Sequence, residues 1–245
     1  MHNQNLLAGM VWMSTVFCRR FRVFLNRGDE FLTCGVYNNH LACSGYWPEP
    51  ETPNAVGFDF PDGFYTVTNE SELKLLIKAL NFAANKHRNQ RRKNADAFPY
   101  INHPISLVNI LCNEVQITDI SVICAALLHD TVEDTATTEE ELALEFGHEI
   151  SRIVMEVTDD RTITVRQKRK QLQIEHASHI SEQAKLLKLA DKISNLRDLV
   201  NDPPATWSLA RRREYFDWAK QVIDQLRGTH PELEKLFDQA YSRRM

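Results

Sequence analysis

The fold is decided by Ala125-Ala126-Leu127-Leu128-His129-Asp130-Thr131-Val132-Glu133-Asp134-Thr135. An apolar run ends in one imidazole and three carboxylates within six residues. In a continuing helix, Glu133 follows His129 by four residues and Asp130 by three. That spacing puts the three side chains on one side, about one turn apart. Imidazole with carboxylate suits Mn²⁺, Fe²⁺ or Zn²⁺. A lone His-Asp pair would more often mark a solvated helix end. The acids one turn later and the apolar lead-in favour a site at the edge of a core.

Outward from this stretch the sequence is helical. Residues 67–245 are rich in helix formers, and no period-2 strand pattern follows residue 66. Leu73, Leu76, Ile77, Leu80 and Ala84 predict a helix running to about Gln90. Thr68, Asn69, Ser71 and the acids Glu70 and Glu72 mark its start. Pro104 suits the first turn of a helix over 104–114, which places His103 at or near its N-cap. Thr118 or Asp119 caps the helix that leads to His129. Thr138 opens another with a capping-box pattern, and Gly147 breaks it. Further helices are expected to Val157, over 168–176, from Ser181 to Val200, and at about 208–227 and 231–242. The expected class is all-α, with an irregular N-terminal extension over residues 1–66 and a main domain over 67–245.

The extension holds six of the eight Gly, four of the nine Pro and three of the five Cys. Tyr46-Trp47-Pro48-Glu49-Pro50-Glu51-Thr52-Pro53 reads as a turn-rich linker. Short strands, disorder or a layer over the main domain all fit this segment. Residues 1–28 carry four Arg and no acid, a weak resemblance to a mitochondrial transit peptide, set against a cytoplasmic default. Five Cys without a C-x₂-C pair signal neither a disulfide framework nor a zinc ribbon. Cys112 and Cys124 read as small core residues. A net charge of −4 argues against nucleic acid, and no apolar run is long enough for a membrane span.

In the helix after Ser181, Asp191 interrupts an apolar face. A carboxylate there is costly unless paired or metal-bound. It could instead pair with Lys188 or Lys192 at the surface. Asn195 extends the same polar stripe. His103, His129, Asp130 and Asp191 therefore form a candidate ligand set from three helices. Glu133 and Asp134 lie close enough to orient water or shuttle its proton. A bound cation would lower the pKa of that water and neutralise a phosphate oxygen. Arg92 could fork onto phosphate or stack on a base, and Lys93 could neutralise a pyrophosphate. A solvated face explains these two equally well, and explains Arg88 and Arg91 better. Tyr100 either stacks on a ligand or packs. His87, His148, His176, His179 and His230 read as surface or packing residues.

Longer strings sharpen this. Arg92-Lys93, Pro99-Tyr100-Ile101-Asn102-His103-Pro104, His129 to Thr135, and Lys188 to Arg197 resemble the hydrolase domain of RelA/SpoT-type HD-domain proteins. Val157-Thr158-Asp159-Asp160 and Tyr215-Phe216-Asp217-Trp218-Ala219 resemble the small stand-alone animal members. The resemblance covers roughly 71–243. It implies a helical HD-domain bundle using Mn²⁺ to release pyrophosphate from the 3′ position of guanosine tetraphosphate (ppGpp). It implies no synthetase activity and no protein partner. It also implies metal ligation by His103, His129, Asp130 and Asp191, with Glu133 and Asp134 serving the water. Arg92, Lys93, Tyr100 and Asn195 would line the nucleotide pocket. Removal of the 2′-phosphate of NADPH is the alternative activity. Two departures stand out: Asn94-Ala95-Asp96-Ala97-Phe98 lacks the glycine of the bacterial pattern, and Ser194 replaces a frequent His.

Overall fold

The computed structural model describes residues 70–245, together with the backbone of three strands within residues 20–47. The chain divides into two compact units, Met1–Thr66 and Val67–Met245. Residues 1–19 of the transit-like stretch, residues 48–53 of the linker, and the N-cap candidates Thr68 and Asn69 lie outside the described residues. The three strands are β1 (Arg20–Arg27), β2 (Glu30–Tyr37) and β3 (His40–Trp47). They form an antiparallel meander in the order β1-β2-β3. Arg20 pairs with Tyr37 and Arg27 with Glu30, and the second ladder shifts register between Leu32 and Cys34.

The second unit is helical. Its helices are α1 (Glu70–Lys86), α2 (Asn102–Asn109), α3 (Ile120–Leu128), α4 (Thr131–Asp134) and α5 (Glu139–Phe146). They continue with α6 (His148–Val157), α7 (Arg166–His176), α8 (Glu182–Asn201), α9 (Leu209–Asp224) and α10 (Pro231–Ser242). Helix starts follow side-chain chemistry. The Asp119 carboxylate accepts from the N–H groups of Ser121 and Val122, and the hydroxyls of Thr138, Ser181 and Ser208 cap α5, α8 and α9. His230 caps α10 through its ring, a role its sequence context did not signal. Gly147, at φ +87°, separates α5 from α6.

Helix α3 is the hub. Every residue from Val122 to Leu128 is buried, so the helix is apolar all round and enclosed by its neighbours. It packs against α1, α2, α6 and α8, and α8 in turn meets α2, α6, α9 and α10. Ala79 and Ala83 carry α1's buried contact, and their small side chains permit close packing on α3. Two residues expected on that apolar stripe, Leu73 and Ile77, are instead exposed. Cys124 is fully buried, whereas Cys112 is only partly so.

Three boundaries differ from expectation. Helix α1 stops at Lys86 rather than near Gln90, because residues 87–89 form a turn closed by Gln90 N–H on His87 O at 2.8 Å. Helix α2 gives way to a π-helical turn over Ile110–Glu114, closed by Val115 N–H on Ile110 O. Helix α3 ends at Leu128, and α4 resumes at Thr131. Between them Asp130 sits at φ −98°, ψ 0°, so the expected continuous helix is interrupted at the His-Asp pair. Among the described residues, no helix is long and apolar enough to cross a membrane.

Candidate metal centre and active site

The buried end of α3 delivers His129, and the interruption after it turns Asp130 back towards the same point. Pro104 fixes the first turn of α2 and places His103 opposite. One ligand atom from each of His103, His129 and Asp130 lies within 4.8 Å of the others. Both imidazoles are buried, with their rings 5.3 Å apart. Asp191, midway along α8, stands just outside this set: its Oδ1 is 3.3 Å from His103 Nε2.

Hydrogen bonding aims both imidazoles inward. His129 Nδ1–H donates to Ala126 O at 2.9 Å. His103 Nδ1–H donates to Ser194 Oγ at 3.3 Å, and that hydroxyl donates to Ser106 Oγ. Both Nε2 atoms therefore face carboxylates. His129 Nε2 is buried, lies 2.9 Å from Asp130 Oδ2, and has no hydrogen-bond partner of acceptable geometry. Two ring nitrogens turned onto carboxylate oxygens mark a place for positive charge, a proton or a metal ion, and the N/O donor set suits a divalent metal. Burial opposes a charge on His129, but the Asp130 carboxylate outweighs it and raises the pKa to about 9. Burial pushes His103 the other way, below its usual value.

The acids are held as anions by their neighbours. Burial would raise the Asp191 pKa, yet Lys192 and His103 bring it well below the carboxylate range. Lys192 Nζ reaches Asp191 Oδ2 at 2.8 Å, and Asn195 donates to Oδ1. The lysine partner foreseen for Asp191 is thus present, but inside the protein: the Lys192 side chain is 6% exposed. Lys192 also lies 4.7 Å from the Trp218 ring, on which Lys170 is placed at 4.8 Å.

Glu133 and Asp134 on α4 face the same cleft. Arg161, in the turn after α6, bridges them, pairing with Glu133 at 3.2 Å and with Asp134. Glu133 Oε2 also accepts from Asp159 N–H at 3.3 Å. Burial first, then the charges of Asp130 and Asp159, raises the Glu133 pKa to about 7. Gln90 donates to Asp134 Oδ2 at 2.7 Å. Asp159, Arg161 and Gln90 were absent from the candidate set. The acidic turn that follows α6 was the signal for the first two.

The other candidates line the cleft, about 480 Å³ in volume, with unequal engagement. Arg92 is half-buried and donates to Asp198 and, at 3.4 Å, to Asn195. Its guanidinium lies 5.7 Å from the Tyr100 ring. Tyr100 does more than pack: its hydroxyl donates to Asp130. Arg91 and Lys93 are both exposed at the rim of the cleft. Lys188 also lines the cleft, and burial, aided by Lys192, lowers its pKa to about 8. His87, read as a surface or packing residue, is 2% exposed and bonded through Nδ1 to Gln90 Oε1 at 2.7 Å.

Residues 79–217 match the family model described as HD domain. The chain is 53% identical over 176 residues to a Danio rerio protein named guanosine-3′,5′-bis(diphosphate) 3′-pyrophosphohydrolase MESH1. That alignment covers 72% of this chain and 97% of the relative. The chain belongs to the MESH1 branch of the HD-domain family. The Homo sapiens MESH1 protein is likewise 53% identical, over 71% of this chain and 97% of its own length. Among solved structures, one described as a metazoan ortholog of SpoT that hydrolyzes ppGpp superposes with a TM-score of 0.67. It is 48% identical and covers 69% of this chain and 95% of its own. The helical architecture described above agrees with an HD domain, and His129-Asp130 lies within the matched residues.

Proposed function

We propose that residues 67–245 are a metal-dependent phosphohydrolase domain that hydrolyses the 3′-pyrophosphate of ppGpp, with Mn²⁺ as the working ion. Water adds to the 3′-linked phosphorus, the bond to the ribose 3′ oxygen breaks, and GDP and pyrophosphate leave. The observation that carries the reading is the buried His103, His129 and Asp130 cluster, with its unpartnered His129 Nε2, at the base of a cleft rimmed by cationic side chains. Near-complete coverage of relatives named for this reaction supports the choice of substrate.

In this reading His103, His129, Asp130 and Asp191 hold the ion. When bound, the ion lowers the pKa of water and offsets charge on a phosphate oxygen. The chain's own residues do the rest. Glu133 and Asp134, steadied by Arg161, orient the attacking water and take its proton. A Glu133 pKa near 7 suits a group that accepts and returns a proton at neutral pH. Arg92, Lys93, Tyr100 and Asn195 line the nucleotide side. A phosphate entering there competes with Asp198 for Arg92.

The test is purified full-length protein with titrated Mn²⁺, given ppGpp and NADPH side by side. Release of GDP and pyrophosphate at a higher kcat/KM than phosphate release from NADPH is expected. No GDP under any divalent ion would defeat the proposal. A kcat/KM ordering reversed in favour of NADPH would move the substrate to its 2′-phosphate.

A further inference from the structure

Neither His87 nor Gln90 belongs to the metal cluster, although Gln90 lines the cleft above it, and both connect to the acids there. Asp134 Oδ2 accepts from Gln90 Nε2 at 2.7 Å. An ionised carboxylate has only acceptors to offer, so the Gln90 amide must present its N–H₂ to Asp134. Its Oε1 is thereby left for His87 Nδ1, 2.7 Å away, which must be the donor. His87 Nε2 is buried and has no hydrogen-bond partner, so it is the bare nitrogen. The hydrogen-bond direction is fixed along the whole chain: His87 Nδ1–H to Gln90 Oε1, Gln90 N–H to Asp134 Oδ2.

The same imidazole supports a second arm. Its ring lies 4.8 Å from the Tyr100 ring at a 36° tilt, and the Tyr100 hydroxyl donates to Asp130. The backbone ties these residues together as well, with Tyr100 N–H on Gln90 O at 3.1 Å. One buried side chain at the end of α1 thus braces an acid of the water-orienting pair through one neighbour and a candidate metal ligand through another.

We infer that His87 is a positioning residue, locked as its Nδ1–H tautomer, that orients Asp134 through Gln90 and Asp130 through Tyr100. The inference rests on the reading of Asp134 as an acid serving the attacking water. Leaving a bare buried nitrogen on His87 has a cost in stability. A phenylalanine would stack on Tyr100 without that cost, and only the hydrogen bond to Gln90 distinguishes the two.

The experiment uses the full chain with Mn²⁺ and ppGpp. His87→Phe keeps a ring against Tyr100 and removes the donor. Gln90→Met removes both hydrogen bonds of the amide. Each is expected to lower kcat by about tenfold with KM within about twofold, the range typical of residues that orient an active group. The double variant should be no worse than Gln90→Met, since the two act in one chain. His87→Asn, whose amide N–H can replace Nδ1–H, should recover part of the lost kcat, the remainder going with the ring it removes from Tyr100. Wild-type kcat in His87→Phe, or equal losses in His87→Phe and His87→Asn that track their melting temperatures, would overturn the inference. ¹⁵N spectra of the wild-type imidazole give a readout independent of turnover and of whether any variant folds. A proton on Nδ1 with Nε2 bare is expected, and a proton on Nε2 overturns the assignment. Wild-type protein that leaves ppGpp intact while showing the expected tautomer would sink the substrate and spare the geometry.

Discussion

Ser194 Oγ lies 3.3 Å from His103 Nδ1, and its hydroxyl donates a hydrogen bond to Ser106 Oγ. This fixes the His103 tautomer with Nε2 facing Asp191 and the metal cluster. Partners of this kind, one bond removed from a ligand, usually change metal affinity by 10–100-fold. Ser194→Ala should therefore weaken Mn²⁺ binding by roughly tenfold. The fold should be little affected, because Ala fits the buried site. A titration followed by the electron paramagnetic resonance of free Mn²⁺ would show it, and unchanged affinity would contradict the relay.

Asp191 and Lys192 form a buried pair, and removing one partner strands the other. Asp191→Ala leaves the Lys192 ammonium buried against Trp218 without its carboxylate. Loss of one member of a buried pair typically costs about 3–5 kcal/mol. The metal-free variant should lose about that much in urea. Asp191→Ala combined with Lys192→Met should regain most of it. Equal stabilities of the single and double variants would show that the pair is not what holds Asp191 in place.

Helix existence was legible because start signals and apolar periodicity agreed, as at Thr138 and Ser181. The position of His103 was legible from Pro104 alone. The burial of α1 was not: Leu73 and Ile77 fit the helical stripe, yet Ala79 and Ala83 make the buried contact. Periodicity identifies a face to within a residue or so, and the smallest side chains on it allow the closest approach. The support around the acids was also hidden, since Arg161 and Gln90 reach Asp134 from 27 and 44 residues away. No local pattern encodes such pairings. Asp191 could be read as a lysine-paired acid or as a ligand. The fold makes the lysine contact internal, beside the metal cluster, so the pairing is compatible with the ligand role proposed for Asp191.

Glu133 should make metal-free stability depend on pH. Its pKa is raised by burial, then by Asp130 and Asp159, from the usual 4.5 to about 7. The folded state then binds a proton more tightly than the unfolded state. Its contribution is therefore complete below pH 4.5 and is lost as pH rises to about 7. Glu133→Gln removes that loss. Relative to wild type, the variant should gain up to ~3 kcal/mol between pH 4.5 and 8 while losing turnover. Parallel stability curves for the two proteins across this range would show that Glu133 does not titrate as described.

Ala97 adopts φ +48°, in the loop between Asn94 and Phe98. Asn94 Oδ1 accepts from Phe98 N–H at 3.2 Å, and Ala97 N–H donates to Asn94 O at 3.2 Å, closing the turn. Arg92 N–H on Phe98 O, at 2.8 Å, then returns the chain towards Tyr100. A non-glycine residue in the left-handed region costs roughly 1–2 kcal/mol. Glycine would relieve this but would add about 0.4–1 kcal/mol of freedom to the unfolded chain. Ala97→Gly should thus stabilise the protein by up to about 1.6 kcal/mol, the difference between these two terms. Arg92 and Tyr100 sit on either side of the turn, so their geometry, and with it kcat, should be preserved. A thermal melt checks the sign. A destabilised Ala97→Gly would mean that Ala97 does not occupy the left-handed region.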